Sequence, residues 1–228
     1  MVLLTGAGLF LRTLDNLRKV DVGFDPQNII LFRLNPQLNR YDQPRINNLY
    51  HRIQDQLKGV AGVRAVSFSN VSLLSGSVNI TDMVVQGRSF SRGPQNNINR
   101  LTVAPNFFEM MGMPLKAGRV FTDNDVQNAP LVAIINETAV RKFFPGENPI
   151  GRRFGNSPET SGQFEIVGVV RDAKYTDLRG DVLSDELVVA RRRNVQVVLD
   201  DAAPNQVLVD DAACAELVDA RIPYIIEI

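Results

Sequence analysis

The chain has 228 residues, 44% of them hydrophobic and 22% charged, which is enough to bury one substantial core or two small ones and excludes a disordered protein. Its 25 Lys and Arg residues balance its 25 Asp and Glu residues, so no net field favours nucleic acid or an acidic surface. The single cysteine, Cys214, excludes an internal disulfide and a cysteine-built zinc site, and it leaves the compartment open.

The N-terminal segment predicts a helix with an apolar beginning. Val2 to Leu11 is apolar and the first charge, Arg12, follows this run, which is the reverse of a cleavable signal peptide. About ten apolar residues are half of what a membrane-spanning helix needs, so these residues alone also fit an amphipathic or core-docking helix. Helical spacing of apolar residues continues to about Val20, and a Gly and an X-Pro step between residues 22 and 26 break it.

The next segment predicts a βαβ unit. Strands are expected at residues 29–34 and 63–69, with a helix between them at about 42–58. Pro44 in the first turn and Gly59 just past the end mark the bounds of this helix. Its apolar stripe consists of Ile46, Leu49, Tyr50, Ile53 and Leu57. A strand, a crossover helix and a returning strand form a βαβ unit, by default with a right-handed crossover.

A polar, glycine-bearing stretch follows, and we place a subdomain boundary near residues 75–95, around a strand at 82–87. Another strand is expected at 97–103, followed by a short helix that ends at Gly112. The helix carries an aromatic and methionine cluster: Phe107, Phe108, Met110 and Met111. Such a cluster more often packs a core than lines a ligand groove, because Met is a common gap-filler.

A compact strand–helix–turn–strand unit is predicted in the middle of the chain. Residues 131–135 form a short apolar run rich in branched side chains, which favours a strand. Asn136 is then a helix N-cap, with Glu137 in the first turn, where a carboxylate suits the positive end of the helix dipole. A Pro-Gly pair ends this helix after about two turns. A strand follows at 164–170, in which Gly168 indicates a bulge or a close backbone approach.

Residues with catalytic or ligand-binding chemistry do not occur in the patterns that this chemistry needs. His51, the only histidine, lies in mid-helix, and no local serine or cysteine motif supplies a nucleophile. The acidic run Asp123-Asn124-Asp125 lacks the spaced ligand pattern of a calcium loop. Gly6 and Gly8 lack the rest of a dinucleotide fingerprint, and the sequence contains no GxxxxGK[ST] phosphate loop. We therefore expect no catalytic, cofactor-binding or metal-binding residues in this chain, and no enzyme.

The remaining charged groups fit structural roles. Glu137, Glu147 and Asp172 suit capping and turn positions better than paired carboxylates for acid–base catalysis. The basic runs at 152–153 and 191–193 are typical of solvated faces. Without interleaved aromatic residues, they do not predict nucleic-acid binding.

Several stretches together resemble a known family. The wording INETAVRKFFPGENPIGRRF, followed by EIVGVVRDAKY, is similar to the extracytoplasmic core domain of MacB-type (FtsX/MacB) ABC transporter permeases, in particular the large duplicated permeases common in acidobacteria. Upstream, LLTGAGLFLRTLDNL, VDVGFDPQNIILFRL and VAPNFFEMMGMPLKAGRVFTDND agree with it. The resemblance covers roughly residues 2–181, and its motifs are specific only when they are read together.

The resemblance implies an α+β fold with two subdomains, preceded by the end of a transmembrane helix. Residues 1–20 would be the end of that helix and a stalk, and residues 21–181 the periplasmic core. Within the core, residues 21–75 would be a βαβ porter-like half and 76–181 an inserted small α+β lobe. Residues 182–228, with Asp-Asp pairs and an alanine-rich composition, are unlike the rest. They predict a truncated, frame-shifted or divergent tail that packs poorly, with strand-like pieces at 195–199 and 207–209 and a weak helix at 212–220.

The resemblance also implies a function. The chain would be the periplasm-facing part of an inner-membrane permease, coupling helix motion driven by a separate cytoplasmic ATP-binding subunit to export or mechanotransmission. A periplasmic partner protein and a dimer in the intact transporter are expected, and nucleic acid is not. The alternative is a standalone membrane-anchored periplasmic module that binds a ligand or a protein, with residues 107–113 lining the groove.

Overall fold

The computed structural model describes residues 2–18, 20–26, 29–34, 43–71, 79–122, 125, 131–174, 187–191 and 205–210. Its helices are α1 (Val2–Arg18), α2 (Gln43–Lys58), α3 (Phe107–Met110) and α4 (Glu137–Phe143). Its strands are β1 (Ile29–Leu34), β2 (Val66–Ser69), β3 (Ile80–Asp82), β4 (Val84–Val85), β5 (Asn97–Val103), β6 (Leu115–Gly118), β7 (Leu131–Asn136), β8 (Arg153–Gly155), β9 (Phe164–Val170), β10 (Leu187–Arg191) and β11 (Asn205–Asp210). The chain is therefore a mixed helix and sheet protein, as the α+β expectation requires.

The strands within these residues form one hydrogen-bonded, mixed sheet. Its order is β1-β11-β2-β5-β10-β7-β9-β8-β4, with β3 pairing β5 and β6 pairing β9. The central pairs β5–β10 and β7–β9 are parallel, whereas β10–β7 is antiparallel. Parallel pairs need both faces covered, and the middle of this sheet meets that condition.

Strand β7 carries apolar side chains on both faces. Val132 and Ile134 belong to one buried cluster, which we call cluster 1, together with α3 and Phe121. Ala133 and Ile135 face the other way, into cluster 2, which α4 covers. Because alternate residues of a strand point to opposite faces, the continuous apolar run LVAII supplies both cores at once.

Strand β9 changes the face of its side chains part-way along. Phe164, Ile166 and Val169 lie in cluster 2, while Val167 lies in cluster 1. The register to β7 shifts between Ala133 and Ile134, so one extra residue is accommodated there. A side chain at Gly168 would collide with the carbonyl of Arg119, which confirms the predicted bulge and close approach.

The predicted βαβ unit is present, with a strand from the tail inside it. The predicted stripe of α2 is packed against β2 in a third buried cluster, cluster 3. Tyr50 and Phe68 make an edge-to-face contact there, with ring centroids 5.2 Å apart. Strand β2 begins at Val66 rather than at Val63, because residues 63–65 make no sheet pairs. Strands β1 and β2 are both antiparallel to β11, which lies between them, so they run parallel to each other.

The expected poor packing of the tail does not hold for the residues that the structure describes there, while its truncation or divergence stays a prediction. Strand β11 pairs over six residue positions with β1 and over four with β2, and β10 fills the place between β5 and β7. The predicted strand at 207–209 is confirmed as part of β11, while the pieces at 195–199 and 212–220 lie outside the described residues. The expectation missed β10, although its sequence LVVAR is mostly apolar, because the composition around it is atypical.

Three further strands differ from expectation. The single strand expected at 82–87 is two short ones, because the chain changes partner at Met83, from β5 to β8. Strand β6 was missed since its four residues are all exposed and carry no alternation. Strand β8 was missed since it has only three residues. The predicted strands at 29–34, 97–103 and 164–170 are confirmed, as are α2 and α4.

Candidate functional site: the junction between helix α1 and the domain

Helix α1 presents uncovered apolar side chains. Leu9, Phe10 and Leu11 are 62–65% exposed. Burying such side chains is worth about 1.5–3 kcal/mol each, so their exposure here marks a surface that favours an apolar environment. In the described part of the chain, no helix combines the length and the apolar character needed to cross a membrane.

The segment after α1, residues 20–25, is fastened to the domain, and we call this attachment the junction. The N–H of Lys174 donates to the carbonyl of Val22 at 2.8 Å, and the N–H of Asp25 donates to the carbonyl of Met111 at 2.8 Å. Val22 is buried, and Phe24 packs against cluster 1. Two backbone hydrogen bonds and two apolar anchors thus hold six residues to the end of β9 and to α3.

Gly23 is the closest point of the junction. Its φ is +83°, a conformation that side chains disfavour, and its N–H is accepted by the Asp21 carboxylate at 2.9 Å. A Cβ at this position would overlap the carbonyl oxygen of Asp172 and lie 2.6 Å from Cα of Ala173. Only glycine lets the two backbones approach in this way.

An exposed ion pair closes the edge of the junction. Arg171 donates to the carboxylate of Asp21, which also accepts from the N–H of Gly23. The backbone hydrogen bond from Gly23 and the side-chain hydrogen bond from Arg171 hold the pKa of Asp21 below its usual range. Because the carboxylate is solvated, this pair orients the turn more than it stabilises the fold.

Asp172, the residue under Gly23, is also bonded to the start of α4. Its carboxylate accepts from Thr138 N at 2.7 Å, from Thr138 Oγ1 at 3.0 Å and from Arg141 Nη2 at 2.9 Å. Its own N–H donates to Glu137 Oε2 at 3.3 Å. The predicted cap, Asn136, is fully buried and accepts from Ala139 N at 3.0 Å. Two orphan N–H groups at the start of α4, those of Thr138 and Ala139, are therefore satisfied by side chains.

The other end of α4 is held by a separate charge cluster. Glu147 pairs with Arg88 at 2.7 Å and with Arg152 at 2.6 Å. The hydrogen bond from Arg152 and the charge of Arg88 hold the pKa of Glu147 below its usual range. Arg88 also donates to the carbonyl of Phe143 and lies over the Phe144 ring at 5.3 Å. The structure thus brings Glu137 and Asp172 together and places Glu147 in another cluster, all three in structural roles.

Other candidates from the sequence also have structural places. His51 is exposed on α2. Asp125 is buried and takes a two-pronged ion pair from Arg119, at 2.8 and 2.9 Å, as well as hydrogen bonds from Thr122 N and Oγ1. Within the described residues, no three His, Cys, Asp or Glu side chains could hold a metal ion. Arg152 and Arg153 are both exposed and paired with glutamates. Arg152 pairs with Glu147, and Arg153 pairs with Glu165 at 3.2 Å.

The aromatic and methionine cluster packs the core. Phe107, Phe108, Met111 and Met113 are each at most 4% exposed and belong to cluster 1. A cleft of about 210 Å³ lies beside them, lined by Pro105, Asn106, Phe108, Glu109, Val120, Phe121 and Thr122. It is smaller than the roughly 300–1,000 Å³ of sites that take drug-sized ligands.

Sequence reasoning did not single out the junction. It interpreted Gly23 as a helix breaker and Asp172 as a capping or turn residue, and it did not connect the two. A glycine needed for close approach of two segments 149 residues apart cannot be distinguished from a glycine in a turn until the fold brings the segments together.

The fold and the junction define a mixed helix and sheet domain that is fastened to the end of an exposed apolar helix. The family model of the MacB-like periplasmic core domain matches residues 6–222, nearly the whole chain. The chain belongs to this family of periplasmic core domains. The match includes β10 and β11, in agreement with their place in the sheet.

Individual relatives agree. The macrolide export ATP-binding/permease protein MacB of Aggregatibacter actinomycetemcomitans is 30% identical over 104 residues, which are 45% of this chain and 15% of that protein. MacB of Syntrophobacter fumaroxidans is 47% identical over 88 residues, which are 38% of this chain and 11% of that protein. The chain thus matches a small part of the length of these curated relatives.

Solved structures share the fold. The periplasmic region of MacB from Actinobacillus actinomycetemcomitans has a TM-score of 0.54 at 18% identity, covering 90% of this chain and 85% of that one. A domain of a putative permease protein from Porphyromonas gingivalis has a TM-score of 0.51 at 14% identity, covering 87% of this chain and 85% of that one. At these identities, the likeness concerns the fold.

Replacing Gly23 tests the close approach in the junction. Gly23→Ala introduces both a strained φ and an overlap with Asp172, and we expect it to lower the free energy of unfolding by about 3 kcal/mol or more. Gly87 is the matched control, because its φ is +80° and no atom lies within 4 Å of its Cβ position. Gly87→Ala should cost only about 1 kcal/mol. Equal losses of the two variants in urea unfolding would contradict the close approach.

The Arg119–Asp125 pair predicts an acid-sensitive contribution to stability. Burial raises the pKa of Asp125, but the hydrogen bonds from Arg119 and Thr122 lower it by more, so the folded-state pKa lies below its usual range. A lowered carboxyl pKa stabilises the fold above the unfolded-state value of about 3.9, and this contribution is lost as pH falls through the folded-state value. Asp125→Asn should therefore cost about 1–3 kcal/mol at pH 7, and progressively less as pH falls from 7 through the folded-state value.

The measurement is urea unfolding of the wild type and the variant across this pH range. Asp55→Asn serves as the control, because Asp55 is an exposed carboxylate on α2. A difference between wild type and Asp125→Asn that stays constant with pH would show that the carboxylate charge is not responsible.

Proposed function

We propose that this chain is the periplasm-facing domain of an inner-membrane ABC transporter permease, and that it acts in export or mechanotransmission. The junction is the observation that carries the proposal. An apolar helix end that is exposed at Leu9 to Leu11 leads within ten residues into a segment bonded to β9 and α3. A membrane helix that continued into α1 would thus be attached directly to the core of the domain.

In this proposal, the chain itself performs no chemical step. Its sequence lacks a GxxxxGK[ST] phosphate loop, so ATP would be hydrolysed by a cytoplasmic ATP-binding subunit separate from this chain. Hydrolysis would move the membrane helices, and α1 would pass the displacement through the junction to the sheet. The relatives named above are ATP-binding/permease proteins for macrolide export, which supports a transport role without fixing the substrate.

The domain would then act on an exported substrate or on a periplasmic partner protein. In the intact transporter, we expect two copies of the permease to work as a dimer. The subdomain division also belongs to this proposal, with a porter-like half around cluster 3 and a lobe around cluster 2. Cluster 1 combines Val71 with individual residues between Leu101 and Ala173, so the two parts share a core.

The alternative, a standalone membrane-anchored binding module, has less support. The residues proposed to line its groove are packed in cluster 1, and the neighbouring cleft is small. Genes for the two cases differ. A permease should encode further apolar segments of about 20 residues beside this domain, and an anchored module should not.

Periplasmic placement can be tested by cysteine labelling of the full gene product in cells. Ser91 lies in an exposed loop, so Ser91→Cys provides a single reactive thiol once Cys214 and any cysteine elsewhere in the full gene product are replaced by serine. We expect a membrane-impermeant maleimide to label it in intact spheroplasts, and the protein to sediment with membranes. Labelling only after lysis would contradict the proposed placement. The same cysteine-free protein without Ser91→Cys is the control for background labelling.

A further inference from the structure

Asp172 lies between the junction and helix α4 and contacts both. Its carbonyl oxygen faces Gly23 with no room for a side chain. Its carboxylate takes three hydrogen bonds from Thr138 and Arg141, and its N–H donates to Glu137. Two residues further on, the N–H of Lys174 donates to the carbonyl of Val22. The same short piece of backbone therefore supports the segment after α1 and the first turn of α4.

Helix α4 and Asp172 are expected to move together as one unit. It has seven residues, its first turn is capped by Asn136 and Asp172, and its last residues, Phe143 and Phe144, are buried in cluster 2. Separating Asp172 from Thr138 would leave part-buried polar groups without partners, which is unfavourable. Moving both together keeps these hydrogen bonds, so joint movement is favoured.

We infer that Asp172 is a positioning residue that couples the junction to helix α4, so that displacement of α1 reaches the face of the sheet over cluster 2. The source of that displacement rests on the proposed function. The coupling itself is a property of the 228-residue chain and can be measured without transport. In this inference, the role of Asp172, Thr138 and Arg141 is mechanical coupling, and they take part in no chemical reaction.

Amide hydrogen exchange in the whole chain, in detergent micelles, tests the coupling. The Lys174 N–H, bonded to Val22, reports on the junction, and the Phe144 N–H, bonded to Val140, reports on α4. The Val60 N–H, bonded to Leu57, reports on the region of α2. Gly23→Ala should speed exchange at Lys174 and at Phe144, the latter by at least about fivefold, the lower end of usual coupling strengths. Exchange at Val60 should stay within twofold of wild type, roughly the spread of an uncoupled region.

The decisive comparison repeats Gly23→Ala in a second background. With Asp172→Ala already present, Gly23→Ala should still speed exchange at Lys174 but should no longer change Phe144 beyond the effect of Asp172→Ala alone. Glu147→Ala is the matched control background, since it also removes an arginine-paired carboxylate, at the far end of α4. There, Gly23→Ala should act on Phe144 as it does in the wild type.

Two results would overturn the inference. One is exchange at Phe144 that does not respond to Gly23→Ala, and the other is an equal response with and without the Asp172 carboxylate. If Gly23→Ala or Asp172→Ala unfolds the chain, Val22→Ala and Asp172→Asn replace them, because the first only removes a buried apolar anchor and the second keeps an acceptor oxygen. Failure of the labelling experiment would remove the transport role and leave this coupling intact.

Discussion

The structure depends on one close approach between two backbones, that of Gly23 and that of Asp172. The approach brings the segment after α1 to the end of β9, the strand with partners on both edges and apolar side chains on both faces. The hydrogen bonds of Val22 and Asp25, the anchoring of Phe24 and the ion pair of Asp21 all follow from this placement. A helix attached elsewhere, through a loop, would have no such hold on the core.

The packing in the middle of the sheet explains why the junction is rigidly attached to the domain. Strands β7 and β9 are parallel, and together they supply residues to clusters 1 and 2. The junction joins the sheet where β9 ends, next to the first turn of α4. A displacement at this point therefore meets packed side chains on both faces, and close-packed interiors transmit displacement rather than absorb it.

The sequence predicted those parts of the fold that depend on local pattern. The run at 131–135, the Asn136 cap and the Gly168 bulge were recognisable because each element has a local signature. The family resemblance predicted the correct fold class and the periplasmic core domain. Composition alone predicted neither of them. What local pattern could not supply were contacts between distant segments.

The missed features share that cause. Strand β6 is an exposed edge piece, β8 is three residues long, and β10 lies in a segment of atypical composition, so each depends on partners far away in the sequence. The same holds for the junction, because the roles of Gly23 and Asp172 arise only when the two meet. The prediction of structural roles for the charged residues came from a spacing that matches caps and turns and no catalytic pattern.

The most direct test of the account is whether α1 is held in a fixed position relative to the domain. Spin labels at the exposed positions Arg12→Cys and Ser91→Cys, in a Cys214→Ser background, allow the distance between helix and domain to be measured by double electron–electron resonance. The account predicts one narrow distance distribution for this chain and a clearly broader one when Gly23→Ala is added. A broad distribution that is already present without Gly23→Ala and unchanged by it would contradict the account, because a loosely tethered helix cannot pass motion to the domain.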